Sequence, residues 1–180
     1  MRWLIDRDAN RDDSWLERAA GAPLGPGLGP ELVTLADWLA RRDELRAGGR
    51  PVGVLLEPAD DPSALAPHLS DLALVAVRFP AFTDGRGYST ARLLRERLGW
   101  TGELRAVGDV LRDQAAALAR CGFDTLALRA DQDLAAAQAA IDEISESYQA
   151  GADRGPLFTR RLQPAAQPRA TAQPRATAQP

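Results

Sequence analysis

After the pair Gly48-Gly49 the chain reads Arg50-Pro-Val-Gly-Val-Leu-Leu56. The apolar run Val52–Leu56 then finds three counterparts, Ala73-Leu-Val-Ala-Val77, Leu104-Arg-Ala-Val107 and Thr125-Leu-Ala-Leu128. Runs this short and nearly continuously apolar read as strands buried on both faces. Helical stretches alternate with them, at Pro62–Leu69, Ser89–Leu98, Asp109–Cys121 and Asp131–Tyr148. Asp61, Ser89, Asp109 and Asp131 stand where the N-caps of those helices belong. Strand and helix in alternation predict an α/β fold. The expectation is four or so βα units forming a small parallel sheet, open or half-barrel, with flanking helices, since four strands are too few to close.

Upstream, Arg2 to Glu17 predicts a short N-terminal hairpin anchored by Trp3, Ile5, Trp15 and Leu16. The glycines and prolines of Gly21–Pro30 break any regular element. Their run Gly25-Pro-Gly-Leu-Gly29 lacks the spacing, the preceding strand and the following helix of a dinucleotide loop. Thr34 and Asp37 then predict a capped helix carrying Leu35, Trp38, Leu39 and Leu45 on one face. Downstream, Gln163–Pro180 repeats Arg-Ala-Thr-Ala-Gln-Pro without one bulky apolar residue. It predicts a disordered low-complexity tail, leaving 1–162 as a single α/β domain.

Composition narrows the chemistry. With 45% hydrophobic and 26% charged residues among 180, the chain reads as globular. A net charge of −3 gives no pull toward nucleic acid or an anionic membrane. No apolar run is long enough to span a bilayer, and charge interrupts the start, Met1-Arg-Trp-Leu-Ile-Asp6, before a signal peptide could form. The expected location is the cytoplasm. Every basic residue except His68 is arginine, so P-loop lysines, Schiff bases and lysine general bases are excluded. One cysteine and one histidine make neither a zinc finger nor an iron–sulfur cluster. No metal or cofactor is expected.

In parallel α/β folds ligands meet the loops at the carboxyl ends of the strands. The longest such loop here is Arg78-Phe-Pro-Ala-Phe-Thr-Asp-Gly-Arg-Gly-Tyr-Ser89. Glycines permit tight turns, Phe79, Phe82 and Tyr88 offer apolar surface, and a helix start with arginines nearby suits an oxyanion. The candidate anion-binding set is Thr83, Asp84, Arg86, Gly87, Tyr88, Ser89 and Arg92. The same residues also read as a packed loop in which Asp84 and Arg86 neutralise each other. Arg78, Asp109 and Cys121 are secondary candidates. Asp109 with Asp113 equally reads as a cap and a solvated face. Cys121 reads as a structural thiol, because Gly122 marks a helix C-terminus, where the dipole does not favour a thiolate. His68 lacks any nucleophile motif and reads as a surface residue. No catalytic acid–base pair stands out, and catalytic residues stay unassigned.

The segments Phe79–Ser89, Ala91–Arg97, Gly102–Gln114 and Arg120-Cys-Gly-Phe-Asp124 resemble a bacterial family, domain of unknown function 934, labelled a probable oxidoreductase involved in sulfite reduction. Ser147-Tyr148-Gln149 and Leu157-Phe158 extend the resemblance, which covers most of Met1 to Arg161. It implies genes neighbouring those for the sulfite reductase haemoprotein and phosphoadenylylsulfate reductase, and so an accessory role in assimilatory sulfate reduction and cysteine biosynthesis. The implied partners are sulfite reductase or phosphoadenylylsulfate reductase. The resemblance transfers no catalytic residue. Two alternatives stay open: a small enzyme or binding module for a sulfur oxyanion or adenylated sulfur compound, and a scaffold with no small-molecule site. An open sheet edge also permits a homodimer.

Overall fold

A computed structural model describes residues 3–6, 14–22, 29–143 and 151, with side chains described for 14–22, 29–141 and 151. The expected tail, Gln163–Pro180, lies outside them.

In chain order the elements are β1 (Trp3–Asp6), β2 (Leu16–Glu17), β3 (Glu31–Thr34), α1 (Leu35–Ala47), β4 (Val52–Leu56), a 3₁₀ segment (Pro62–Asp71), β5 (Leu74–Phe79) and α2 (Arg86–Arg92). A π-helical turn (Leu93–Arg97), β6 (Glu103–Gly108), a 3₁₀ turn (Arg112–Gln114), α3 (Ala115–Arg120), β7 (Thr125–Leu128) and α4 (Leu134–Glu143) complete them. The sheet order is β1-β7-β6-β5-β4-β3-β2. β2 to β7 run parallel and curl into a half-barrel, so the α/β class and half-barrel sheet expected from the apolar runs are present. The N-terminal segment supplies two short strands; β1 pairs antiparallel with β7 and β2 parallel with β3. Each therefore borders one end of the strand order.

From β2 to β7 spatial order follows chain order, so the sheet is singly wound and has no point at which strand order reverses. A crevice of the doubly wound kind is therefore missing, and a ligand would have to meet the mouth of the half-barrel. Strand alternation sorts the core into two layers. Val54, Leu56, Val75, Val77, Phe79, Leu104 and Ala106 pack with Trp38, Leu65, Leu94 and Leu118 from the helices. On the other face Leu32, Leu55, Leu74, Ala76, Val107 and Ala127 form a second layer, with Trp15 packed against it. Gly53 makes room for that tryptophan: a Cβ there would lie 2.9 Å from the Trp15 ring.

Several sequence expectations need correction. β3 was not anticipated, because Glu31 opens it with a charge; that carboxylate is buried against Arg18 at 2.6 Å and Arg50 at 2.7 Å. The helical stretch expected after Asp61 is present and takes the 3₁₀ form, with Pro67 inside it. Ser89 is no cap: α2 starts at Arg86, with Gly85 before it. Asp131 does not cap α4 either, because Asp133 accepts from the N–H of Ala135 at 2.8 Å and Ala136 at 3.2 Å. Asp109 caps nothing and ties loops together instead. His68 is half-buried, set edge-on to Trp38 and bonded through Nε2 to the Arg42 guanidinium at 2.8 Å. Thr34 and Asp61 do cap as expected, accepting from the N–H of Asp37 and Ser63.

Candidate functional site

β5 is the central strand of the sheet, and its last two residues open the long loop. Alternation sends them to opposite faces. Phe79 turns to the helix-covered side and is fully buried, with Tyr88 and Phe123 rings at 5.4 and 5.9 Å. α2 lies directly over that ring, since a Cβ on Gly87 would sit 2.5 Å from Phe79 Cζ. Gly108, at φ 101°, presses its Cα against the Phe79 carbonyl, where a Cβ would come within 2.3 Å of the oxygen. The aromatic–glycine pattern of this loop is therefore largely steric: it lets a helix and the next strand's end close on one phenylalanine.

Arg78 turns to the other face, at the carboxyl mouth of the half-barrel. Its Nε donates to Glu57 at 2.8 Å and its Nη2 to Glu17 at 2.5 Å. The guanidinium thus joins the end of β2 to the end of β4 across the sheet, and two carboxylates already occupy its fork.

The loop itself is tightly tied. The Asp84 N–H donates to the Ala81 carbonyl at 2.9 Å, closing a turn. The Phe82 N–H donates to Asp109 Oδ2 at 2.9 Å, and Gln114 Nε2 donates to the Phe82 carbonyl at 3.1 Å. Arg86 grips Asp84 in bidentate fashion, Nε to Oδ1 at 3.0 Å and Nη2 to Oδ2 at 2.6 Å, while its N–H also donates to Oδ1 at 3.1 Å. The arginine side chain holds the Asp84 carboxyl below the usual carboxylate range. The first turn of α2 is therefore occupied by a carboxylate of the same chain. Ser89, the fourth residue of α2, already lies within the helical ladder. Thr83 is exposed at the loop tip. Tyr88 is half-buried and bonded to Gln114, with burial pushing its hydroxyl pKa up.

Asp109 is the joint of the rim. Besides Phe82, it accepts from Arg129 Nη1 at 2.8 Å, so one carboxylate connects the loops after β5, β6 and β7. Arg129 in turn holds Asp131 through two bonds, 2.7 and 2.8 Å. That bond, with help from Gln132, lowers the Asp131 carboxyl to about 2.

The structure brings Thr83, Asp84, Arg86, Gly87, Tyr88 and Ser89 onto one loop and helix start, with Asp109 bonded into it. Arg92 stands apart on the exposed side of α2, paired with Glu96 at 3.0 Å. Arg78 belongs to the mouth and not to the loop. Cys121 ends α3, partly buried against the core, and Gly122 follows at φ 101° as the expected helix stop. Sequence reading missed Gln114, Arg129 and Glu17 as partners of the rim. Their bonds join residues far apart in the chain, for which spacing carries no signal, although Arg129 and Asp131 directly follow a strand. Among the described residues, every arginine of the rim has a carboxylate partner at this end of the sheet, so the arrangement favours a locked surface over a free cationic pocket.

No curated protein matches the chain. A family profile described as bacterial protein of unknown function (DUF934) matches residues 53–158, a span that begins within β4, contains β5 to β7 and holds the whole of the loop. Since that span is more than half of the sequence, the chain belongs to the DUF934 family of bacterial proteins of unknown function.

Proposed function

We propose that this protein is an accessory factor of assimilatory sulfate and sulfite reduction that works by binding the reductase, and not through a reaction centre of its own. The observation that carries the binding role is the rim: Arg78, Arg86 and Arg129 are each engaged by carboxylates of the same chain. A catalytic constellation needs a nucleophile or base poised beside an open position, whereas a rim of fixed, mutually paired charges suits recognition of another protein. The tie to sulfur metabolism rests on the resemblance to gene neighbours of sulfite reductase. The test is growth of a deletion strain on sulfate, sulfite, sulfide or cysteine as sole sulfur source. Failure on sulfate and sulfite with rescue by sulfide is expected; normal growth on all four removes the proposal.

A second reading, a binding module for a sulfur oxyanion, is favoured by the 61% exposure of the Arg86 side chain, which leaves it accessible to solvent. Asp84 weighs against it, because an incoming anion must displace a bidentate carboxylate. Titration of wild type and Arg86→Ala with sulfate, phosphate and adenine nucleotides separates the two. Equal and negligible binding by both proteins eliminates the oxyanion site.

A further inference from the structure

Among the described residues, the large apolar side chains that stand exposed are Leu16, Leu39 and Phe82. Phe82 is the aromatic one, 55% exposed at the tip of the loop after β5. Its backbone is fully employed: the N–H bonds to Asp109 and the carbonyl to Gln114. Both bonds use main-chain atoms, so they hold the loop whatever side chain position 82 carries. The ring itself pairs with none of the aromatic side chains that stack in the core. An exposed phenyl ring costs hydrophobic free energy, and here local structure does not require it. A large, rigid side chain on a loop fixed from both sides loses little entropy on association, the property of an interface anchor.

The charge around it specifies the partner. The loops after β5, β6 and β7 carry Asp84, Asp109, Asp113, Asp131 and Asp133 against Arg86, Arg112 and Arg129. The loop after β4 adds Glu57, Asp60 and Asp61. Among the described residues this end of the sheet is net acidic even with Arg78 counted, which disfavours small anions and attracts a positive surface.

We infer that the carboxyl rim of the half-barrel is a protein-docking face in which Phe82 inserts into an apolar depression on a basic surface of the partner. This rests on the accessory-factor reading and names the face and the partner chemistry that reading leaves open.

The experiment measures binding of purified sulfite reductase haemoprotein to wild type, Phe82→Ala and Leu39→Ala by calorimetry at two salt concentrations. Leu39 lies on α1 with comparable exposure, 45%, and serves as the control. Phe82→Ala is expected to weaken binding at least tenfold with an unchanged melting temperature, Leu39→Ala to bind as wild type, and added salt to weaken all three. Binding that survives Phe82→Ala intact overturns the docking face and leaves the accessory role standing. No binding by wild type overturns both.

Discussion

At the scale of single residues, the two glycines packed on Phe79 differ in what they tolerate. At Gly87 the obstacle is a side-chain ring in a filled core, so a Cβ forces Phe79 or α2 to shift. Gly87→Ala is expected to cost about 1–3 kcal/mol, the usual range for overpacking. Gly108→Ala meets a backbone carbonyl at 2.3 Å and a positive φ besides, and should lose more. Urea denaturation of both variants checks the order; equal losses would show that the Phe79 carbonyl yields as easily as its ring. Asp131 gives a second residue-level expectation. Its carboxyl pKa is lowered to about 2 by Arg129 and Gln132, against about 3.9 for a free aspartate. A depressed folded value means the pairing stabilises the fold above the free value and is lost as pH falls from about 4 toward 2. A carboxyl NMR titration should place the Asp131 midpoint near the lowered value and return it toward normal in Arg129→Ala. An unmoved midpoint in that variant would remove the assignment.

Among the elements, the π-helical turn Leu93–Arg97 is the least regular, and a side chain explains why it persists. Arg95 Nε donates to the Gly122 carbonyl at 2.9 Å, and Nη1 to the carbonyls of Trp100 and Gly102 at 2.7 and 2.8 Å. Nη2 bonds Asp124, whose Oδ2 also accepts from the Leu104 N–H at 2.8 Å. One guanidinium thus fastens the end of α2 to the entries of β6 and β7. Arg95→Ala strands three carbonyls and leaves Asp124 without its cation, and is expected to cost about 2–3 kcal/mol. Arg95→Lys should recover less than half, because an ammonium cannot span the planar fork. Full rescue by lysine would mean that charge alone matters there. None of this was legible in the sequence. The four strands β4 to β7 could be read because burial on both faces leaves an apolar run, and Thr34 and Asp61 because capping is local. The start of α2 was misplaced by three residues, since the Asp84–Arg86 pair does the work expected of Ser89. β3 escaped because its first residue is a charge made tolerable only by arginines distant in the chain.

For the molecule as a whole, that charge decides whether the edge of the half-barrel unfolds with the rest. Glu31 opens β3 with its side chain 3% exposed, and its Oε1 takes both Arg18, which follows β2, and Arg50, which precedes β4. Backbone bonds run the same way, from the Arg18 N–H to the Leu32 carbonyl at 2.8 Å and from the Glu31 N–H to the Pro51 carbonyl at 3.1 Å. Three neighbouring strands are therefore pinned at one point. Glu31→Gln keeps the shape and leaves two half-buried guanidinium groups facing a neutral amide. Removing one member of a buried ion pair costs about 3–5 kcal/mol; with both arginines partly reached by water, the lower end is expected. Because β3 sits between β2 and β4 and shares the core with Trp38, the loss should appear globally. The urea midpoint falls, while the slope with denaturant, which follows the surface exposed on unfolding, stays at the wild-type value. Hydrogen exchange gives the contrary outcome its signature: if only the amides of residues 16–18 and 31–34 lose protection while the midpoint holds, the edge frays independently and the pinning is local. A global loss would mean instead that the mouth, where Arg78 ties Glu17 to Glu57, and the docking rim beyond it share one cooperative fold, so that a substitution far from the rim reaches it only by unfolding the protein.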